Sequence, residues 1–100
     1  MSYDVTVGTK EFNYTANMRE FFVDFGVYPV GDLHGKTPKQ VAGLIGNALH
    51  TISYEDYTDL CAEYDSDNGW GHVDTAIKFL FNIYMACLTE PDVDTVEVDW

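Results

Sequence analysis

Residues 95–100, Thr95-Val96-Glu97-Val98-Asp99-Trp100, alternate polar and apolar side chains, and the apolar ones are β-branched until the last. That is the period of a half-buried strand. Residues 3–7, Tyr3-Asp4-Val5-Thr6-Val7, repeat the pattern almost a full chain length away. Gly8-Thr9 can turn, and Lys10 to Tyr14 alternates again, which makes a hairpin. A lone hairpin is marginal in water, so the remote strand and a covering layer are needed to stabilise it. The expectation is one small antiparallel sheet formed by the N- and C-terminal strands.

The middle reads as four helices. Thr15 can cap the first, whose Met18, Phe21, Phe22 and Phe25 follow i, i+3, i+4, i+7 before Gly26 ends it. The second opens with Thr37-Pro38-Lys39-Gln40, a capping box with proline at the first helical position. Val41, Leu44, Ile45, Ala48, Leu49 and Ile52 then form its apolar stripe. Ser53 is placed as the cap of the third, whose inner face is Tyr57, Leu60, Cys61 and Tyr64. The fourth is placed from about Gly71 to Thr89, with Pro91 stopping it. Its stripe is Val73, Ala76, Ile77, Leu80, Tyr84, Cys87 and Leu88, widened by Phe79, Phe81 and Ile83, which predicts a central helix. The fold class is therefore α+β, a four-helix middle packed on a small sheet. One hundred residues make a single domain, 1–100.

Charge is the strongest compositional signal. Seventeen acids oppose five bases, for a net charge of −12. Residues 1–50 hold five acids and four bases, whereas residues 51–100 hold twelve acids and Lys78 alone. Such a surface repels nucleic acid and anionic membrane and attracts basic partners. No run of about eighteen apolar residues exists to span a bilayer. The first residues lack the basic start and apolar stretch of a leader peptide. Cys61 and Cys87 sit at helical spacing among apolar residues and read as buried thiols.

Candidate chemistry is sparse. Gly35-Lys36-Thr37 resembles the tail of a phosphate-binding loop, but only three residues separate Gly31 from Gly35, one too few. His34, His50 and His72 show no paired spacing and no nearby cysteine, so zinc is not expected. Carboxylates occur on nearly every turn, so their spacing cannot mark a catalytic pair. No enzyme and no cofactor are expected.

Residues 64–74, YDSDNGWGHVD, allow two readings. Glu63, Asp65 and Asp67 fall at positions 1, 3 and 5 of a calcium loop, with Asp74 at position 12. Position 1 should be aspartate, position 6 glycine and position 12 glutamate, so the match is imperfect. The other reading is a helix–helix connection turned by Asn68-Gly69. There Gly71 permits a close approach, and Trp70 either plugs into the core or anchors a partner.

Asn13-Tyr14-Thr15-Ala16-Asn17, Leu33-His34-Gly35-Lys36-Thr37, Asn68-Gly69-Trp70-Gly71 and Ala86-Cys87-Leu88 together resemble a family of small phage and prophage proteins. That resemblance brings no activity and no functional residues. It implies a phage-type setting in the host-cell cytoplasm.

Charge and setting together point to a non-enzymatic binding protein. Its acids would compete for a groove that a basic, nucleic-acid-binding host protein uses for phosphate, as a DNA mimic does, with a CRISPR effector as one such target. The residues expected to do so are Glu55, Asp56, Asp59, Glu63, Asp65, Asp67 and Trp70, with Asp92, Asp94 and Glu97 as a second patch. The alternatives are the calcium module and a small self-associating protein, a homodimer, using Phe12, Tyr14, Trp70 and Trp100.

Overall fold

The computed structural model describes residues 2–65, 69, 71–90 and 92–100. The elements are β1 Ser2–Val7, β2 Lys10–Thr15, α1 Arg19–Asp24, α2 Pro38–Ser53, α3 Tyr57–Tyr64, α4 Val73–Thr89 and β3 Glu97–Asp99. The architecture is the expected α+β one, and the sheet has three strands in the order β2-β1-β3.

The central strand, β1, pairs antiparallel on both sides. Val5 faces Phe12 of β2 and Val98 of β3, and Asp4 faces Asn13 and Asp99. Side chains alternate across a strand, so Tyr3, Val5, Val7 and Val98 turn inward, and all are buried. The hairpin turns at Gly8, whose φ of +63° suits the first central position of a type II′ turn.

β3 has only three residues, yet both of its edges are used. Beyond β1, the loop before α2 grips the other side. Gly35 N donates to Val96 O at 2.9 Å and Val96 N donates to Lys36 O at 2.7 Å. Val98 N donates to Nδ1 of His34 at 2.9 Å. The glycine and lysine of the phosphate-loop look-alike, with the histidine that precedes them, therefore serve as a clasp.

The helix ends follow local chemistry. Thr15 caps a 3-10 turn, Ala16–Met18, that leads into α1. α1 ends in a Schellman motif, with Gly26 N donating to Val23 O and Val27 N to Phe22 O. The capping box of α2 is complete: Gln40 N donates to Thr37 Oγ1 at 3.2 Å, and Thr37 N to Gln40 Oε1 at 3.0 Å.

Two boundaries differ from expectation. Ser53 is the last residue of α2, where its hydroxyl donates to His50 O at 2.6 Å. Asp56 caps α3 instead, accepting from Asp59 N at 3.1 Å. The stripe of α2 runs on to buried Ile52, so burial carries that helix past the point where Ser53 could start a new one. α4 begins at Val73 rather than Gly71, because Gly71 has φ +137°, outside the helical region.

α4 is the central helix. It packs along α2 and lies on β1 and β2, with α3 against its flank. Its buried face is Val73, Ala76, Phe79, Leu80, Ile83, Ala86 and Cys87. Ile77 and Tyr84 are half-buried, and Phe81 and Leu88 face solvent, against expectation. Tyr57 of α3 is also exposed rather than on the inner face. An aromatic cluster fills the space between sheet and helices: Tyr14 stacks on Phe79 at 5.2 Å, and Phe22 lies 6.0 Å from each. Both cysteines are free, and burial pushes the Cys87 thiol up to about 11. Among the described residues no helix is long and apolar enough to cross a membrane.

Replacing His34 by alanine leaves the Val98 amide without its acceptor. The expected cost is about 1–2 kcal/mol, read from thermal or urea unfolding. Gly71→Ala should destabilise by about 1–3 kcal/mol, because the φ is strained for any side chain. An added Cβ would also sit 2.8 Å from Met18 Cγ. Gly43→Ala is the control: it is helical and meets nothing within 4 Å, so it should stabilise by roughly 0.5–1 kcal/mol.

Candidate acidic interface

The outer face of the sheet is built by alternation. With Tyr3, Val5 and Val7 turned inward, Asp4 and Thr6 must point out, as do Glu11 and Asn13 on β2 and Glu97 and Asp99 on β3. Register then sets two rows across the strands. One is Asp99–Asp4–Asn13 and the other is Glu97–Thr6–Glu11.

Asp4 and Asp99 are directly opposed like charges. At about 5 Å in water their repulsion is on the order of 0.8 kcal/mol, and salt reduces it. Asn13 offsets part of this by donating Nδ2 to Asp4 Oδ1 at 2.6 Å. No lysine or arginine does so. Among the described residues the one approach within 4.0 Å between a carboxylate and a basic side chain is His72 Nδ1 to Asp65 Oδ2, at 3.6 Å.

Three shallow concavities continue these rows. The first, of about 560 Å³, is lined by Asp4, Thr6, Glu11, Phe12, Asn13 and Asp99. The second, of about 320 Å³, shares Thr6 and adds Asp94 and Glu97. The third, of about 390 Å³, shares Gly8 and Val93 with the second and adds Glu90 and Asp92. The result is a track of seven carboxylates, Asp4, Glu11, Asp99, Glu97, Asp94, Glu90 and Asp92, with Lys10 at its edge, where Nζ donates to Thr89 Oγ1 of the third concavity at 3.4 Å. Glu90 is fixed in place, since its carboxylate accepts from Thr9 N and Thr9 Oγ1 at 3.3 and 3.1 Å.

The expected second patch of Asp92, Asp94 and Glu97 thus lies on this track. The residues missed by sequence reasoning are Asp4, Glu11, Glu90 and Asp99. Period-two alternation puts Asp4 and Asp99 on an outer face, but only the register places them side by side.

The expected first patch lies elsewhere, on α3 and the connection after it. Glu55, Asp59 and Glu63 are exposed. Two others have local structural duties. Asp56 caps α3, and Asp65 caps the start of α4 by accepting from Val73 N at 2.8 Å. Since α3 packs on α4, behind the sheet, the structure does not bring the two patches onto one face.

Asp67 and Trp70 lie outside the described residues. Of the remaining calcium candidates, Asp65 is engaged as above and Asp74 accepts from the Tyr57 hydroxyl. Among the described residues no three His, Cys, Asp or Glu side chains are grouped to hold a metal ion. Of the aromatic candidates, Tyr14 is half-buried and its hydroxyl accepts from His72 N at 3.2 Å, pinning the start of α4. Phe12 is half-buried and Trp100 is exposed.

A cleft of about 650 Å³ beside β1 has different chemistry. It is lined by Tyr3, Arg19, Tyr28 and Trp100, among others, and the Arg19 guanidinium sits 5.2 Å over the Tyr28 ring. Anions suit a guanidinium and phenols, but a net charge of −12 opposes their entry. Here the Tyr3 hydroxyl is pushed up to about 12, by burial first and then by the neighbouring Tyr28.

An unfolded tyrosine titrates near 10, so the Tyr3 contribution is fully present below that pH. It is lost as pH climbs from about 10 towards 12. Urea midpoints should therefore fall over that window, and Tyr3→Phe should lessen the fall.

No family model, no curated protein and no solved structure matches this chain, so the interface stands on its own residues.

Proposed function

We propose that the chain is a non-enzymatic acidic binding protein that occupies the phosphate-binding groove of a basic, nucleic-acid-binding partner, in the manner of a DNA mimic. One observation carries this reading: seven carboxylates follow one another along a track with Lys10 at its edge. A merely solubilising surface needs charge but not its segregation. Here like charges are opposed across strands at a small cost, and no lysine or arginine within 4.0 Å relieves it. A groove lined by Lys and Arg would supply that relief on binding.

Single exposed ion pairs are worth only about 0.2–1 kcal/mol, so no one acid is decisive. The gain lies in the field of the whole track. It speeds association with basic surfaces by about 10- to 1000-fold at low salt and fades as salt rises. The proposal extends to an infected cell as the setting, on the resemblance of the short motifs to small phage proteins, with a defence nuclease such as a CRISPR effector as the partner of the required charge.

The test is a pull-down from bacterial lysate at low salt, with the tagged protein and a variant carrying Asp4→Asn, Glu11→Gln, Glu97→Gln and Asp99→Asn. The expected result is capture of basic nucleic-acid-binding proteins that duplex DNA elutes and the variant fails to hold. Capture that neither DNA nor the variant changes would overturn the proposal. A second variant, Glu55→Gln with Asp59→Asn and Glu63→Gln, measures the share of α3. The track predicts the larger loss from the sheet variant.

A further inference from the structure

α4 carries a second stripe that the core does not use. Asp74, Lys78, Phe81, Met85 and Leu88 follow one another at spacings of four, three, four and three. That is the seam spacing of one helix laid along another. At 1.5 Å per residue the seam is about 21 Å long, enough for four turns of a partner helix. Phe81, Met85 and Leu88 are 49%, 42% and 52% exposed, on the side of α4 away from buried Ala76, Leu80 and Ile83. Half-buried Ile77 and Tyr84 flank them. The Tyr57 ring extends the apolar surface at one end, where its hydroxyl donates to Asp74. Tyr57 itself is 50% exposed.

Charge decides what fits. At the N-terminal end of the seam stand Asp74 and, in the first turn of α3 beside Tyr57, Asp56 and Asp59. At the C-terminal end stand Glu90 and Asp92, two acids against Lys10, whose Nζ donates to Thr89 Oγ1 at 3.4 Å. Lys78 is the one base in the stripe. A second copy of this chain would bring a further −12 of charge to the contact. A neutral apolar helix would bring no cation to the acids at either end. A helix with an apolar middle and basic ends satisfies both features.

We infer that the outer seam of α4 docks a basic amphipathic helix of a partner protein, apolar along about three turns and rich in Lys or Arg at both ends. Its apolar side covers Phe81, Met85 and Leu88, and its basic ends meet Asp56, Asp59 and Asp74 at one end and Asp92 at the other. Met85 suits this surface because an unbranched thioether adapts to different facing side chains. The inference shares a basic partner and Asp92 with the proposed function, but its apolar contacts on α4 lie outside the track, so the two can fail separately.

The experiment titrates the protein into two fluorescent peptides and reads anisotropy. Both peptides have about 18 residues. One carries leucines at heptad spacing with lysines at both ends, and the other is a scrambled isomer of equal charge. The ordered peptide should bind about tenfold more tightly than its isomer. Phe81→Ser and Leu88→Ser should each remove most of that difference without lowering Tm, since both side chains already face solvent. Neutralising Asp4 and Asp99 should leave the difference intact.

Equal binding of the two isomers would overturn the seam while leaving the acidic reading in place. Binding of neither at low salt would overturn the seam and count against the acidic reading as well. A concentration-dependent dimer in sedimentation equilibrium, broken by Phe81→Ser, would overturn the inference in favour of a second copy.

Discussion

The hydrogen bond from the Val98 amide to Nδ1 of His34 holds the C-terminal strand where the rest of the sheet needs it. β3 is three residues long, and strands that short do not hold their own register. One edge pairs with β1. The other would be an open row of amides and carbonyls, the usual liability of an edge strand. His34, Gly35 and Lys36 cover it with three hydrogen bonds contributed by a loop, so a short segment acquires two-sided support. Val96 and Val98 then enter the core beneath the strand, both buried.

The position of β3 also fixes the charge pattern. A slip of one residue would turn Val98 out to solvent and drive Glu97 or Asp99 into an apolar core. Burying an unpaired carboxylate costs far more than the small repulsion between Asp4 and Asp99 on the surface. Register is thus set by the inner face, and the acidic rows are its consequence on the outer one. The outer residues themselves remain free to vary at little cost in stability. That freedom is why four carboxylates on so small a sheet invite a functional reading.

Much of the fold could be read from local signals. The capping box at Thr37 and Gln40, the glycine closing α1 and the alternation at both ends each reflect chemistry confined to a few residues. What escaped was decided by competition or by pairing. Ser53 and Asp56 are both good caps, and only the burial of Ile52 shows that α2 continues through Ser53. Phe81 and Leu88 look like core because α4 is apolar most of the way round. The helix can bury only the arc facing α2 and the sheet, however, so the surplus apolar residues face out. The acidic track was half legible. Asp92, Asp94 and Glu97 stood out as a run, whereas Asp4 and Glu11 join them through cross-strand neighbours far away in sequence. The α3 acids stood out equally, but two of them turned out to cap helix ends. Charge density along a chain does not separate a capping carboxylate from a free one.

The described core does not use either surface feature. Among the described residues, β1, β3, α1, α2, α3 and one side of α4 contribute to a core of twenty-two buried apolar side chains, and no buried polar side chain lacks a partner. Folding therefore asks nothing of Phe81, Met85 and Leu88, and nothing of Glu97 or Asp99. Each would be more soluble or less repelled as a neutral polar residue. Exposed apolar side chains scattered singly need no explanation, but three in line at seam spacing do. The acids on the sheet and the stripe on α4 are set on opposite sides of the two-layer fold. A partner engaging both must wrap around the domain. A partner engaging one leaves the other open to a second molecule, and the small size of the domain makes either geometry reachable: its longest dimension is 39 Å. The two proposed contacts would differ in salt response, since screening weakens charge contacts and leaves apolar ones nearly untouched.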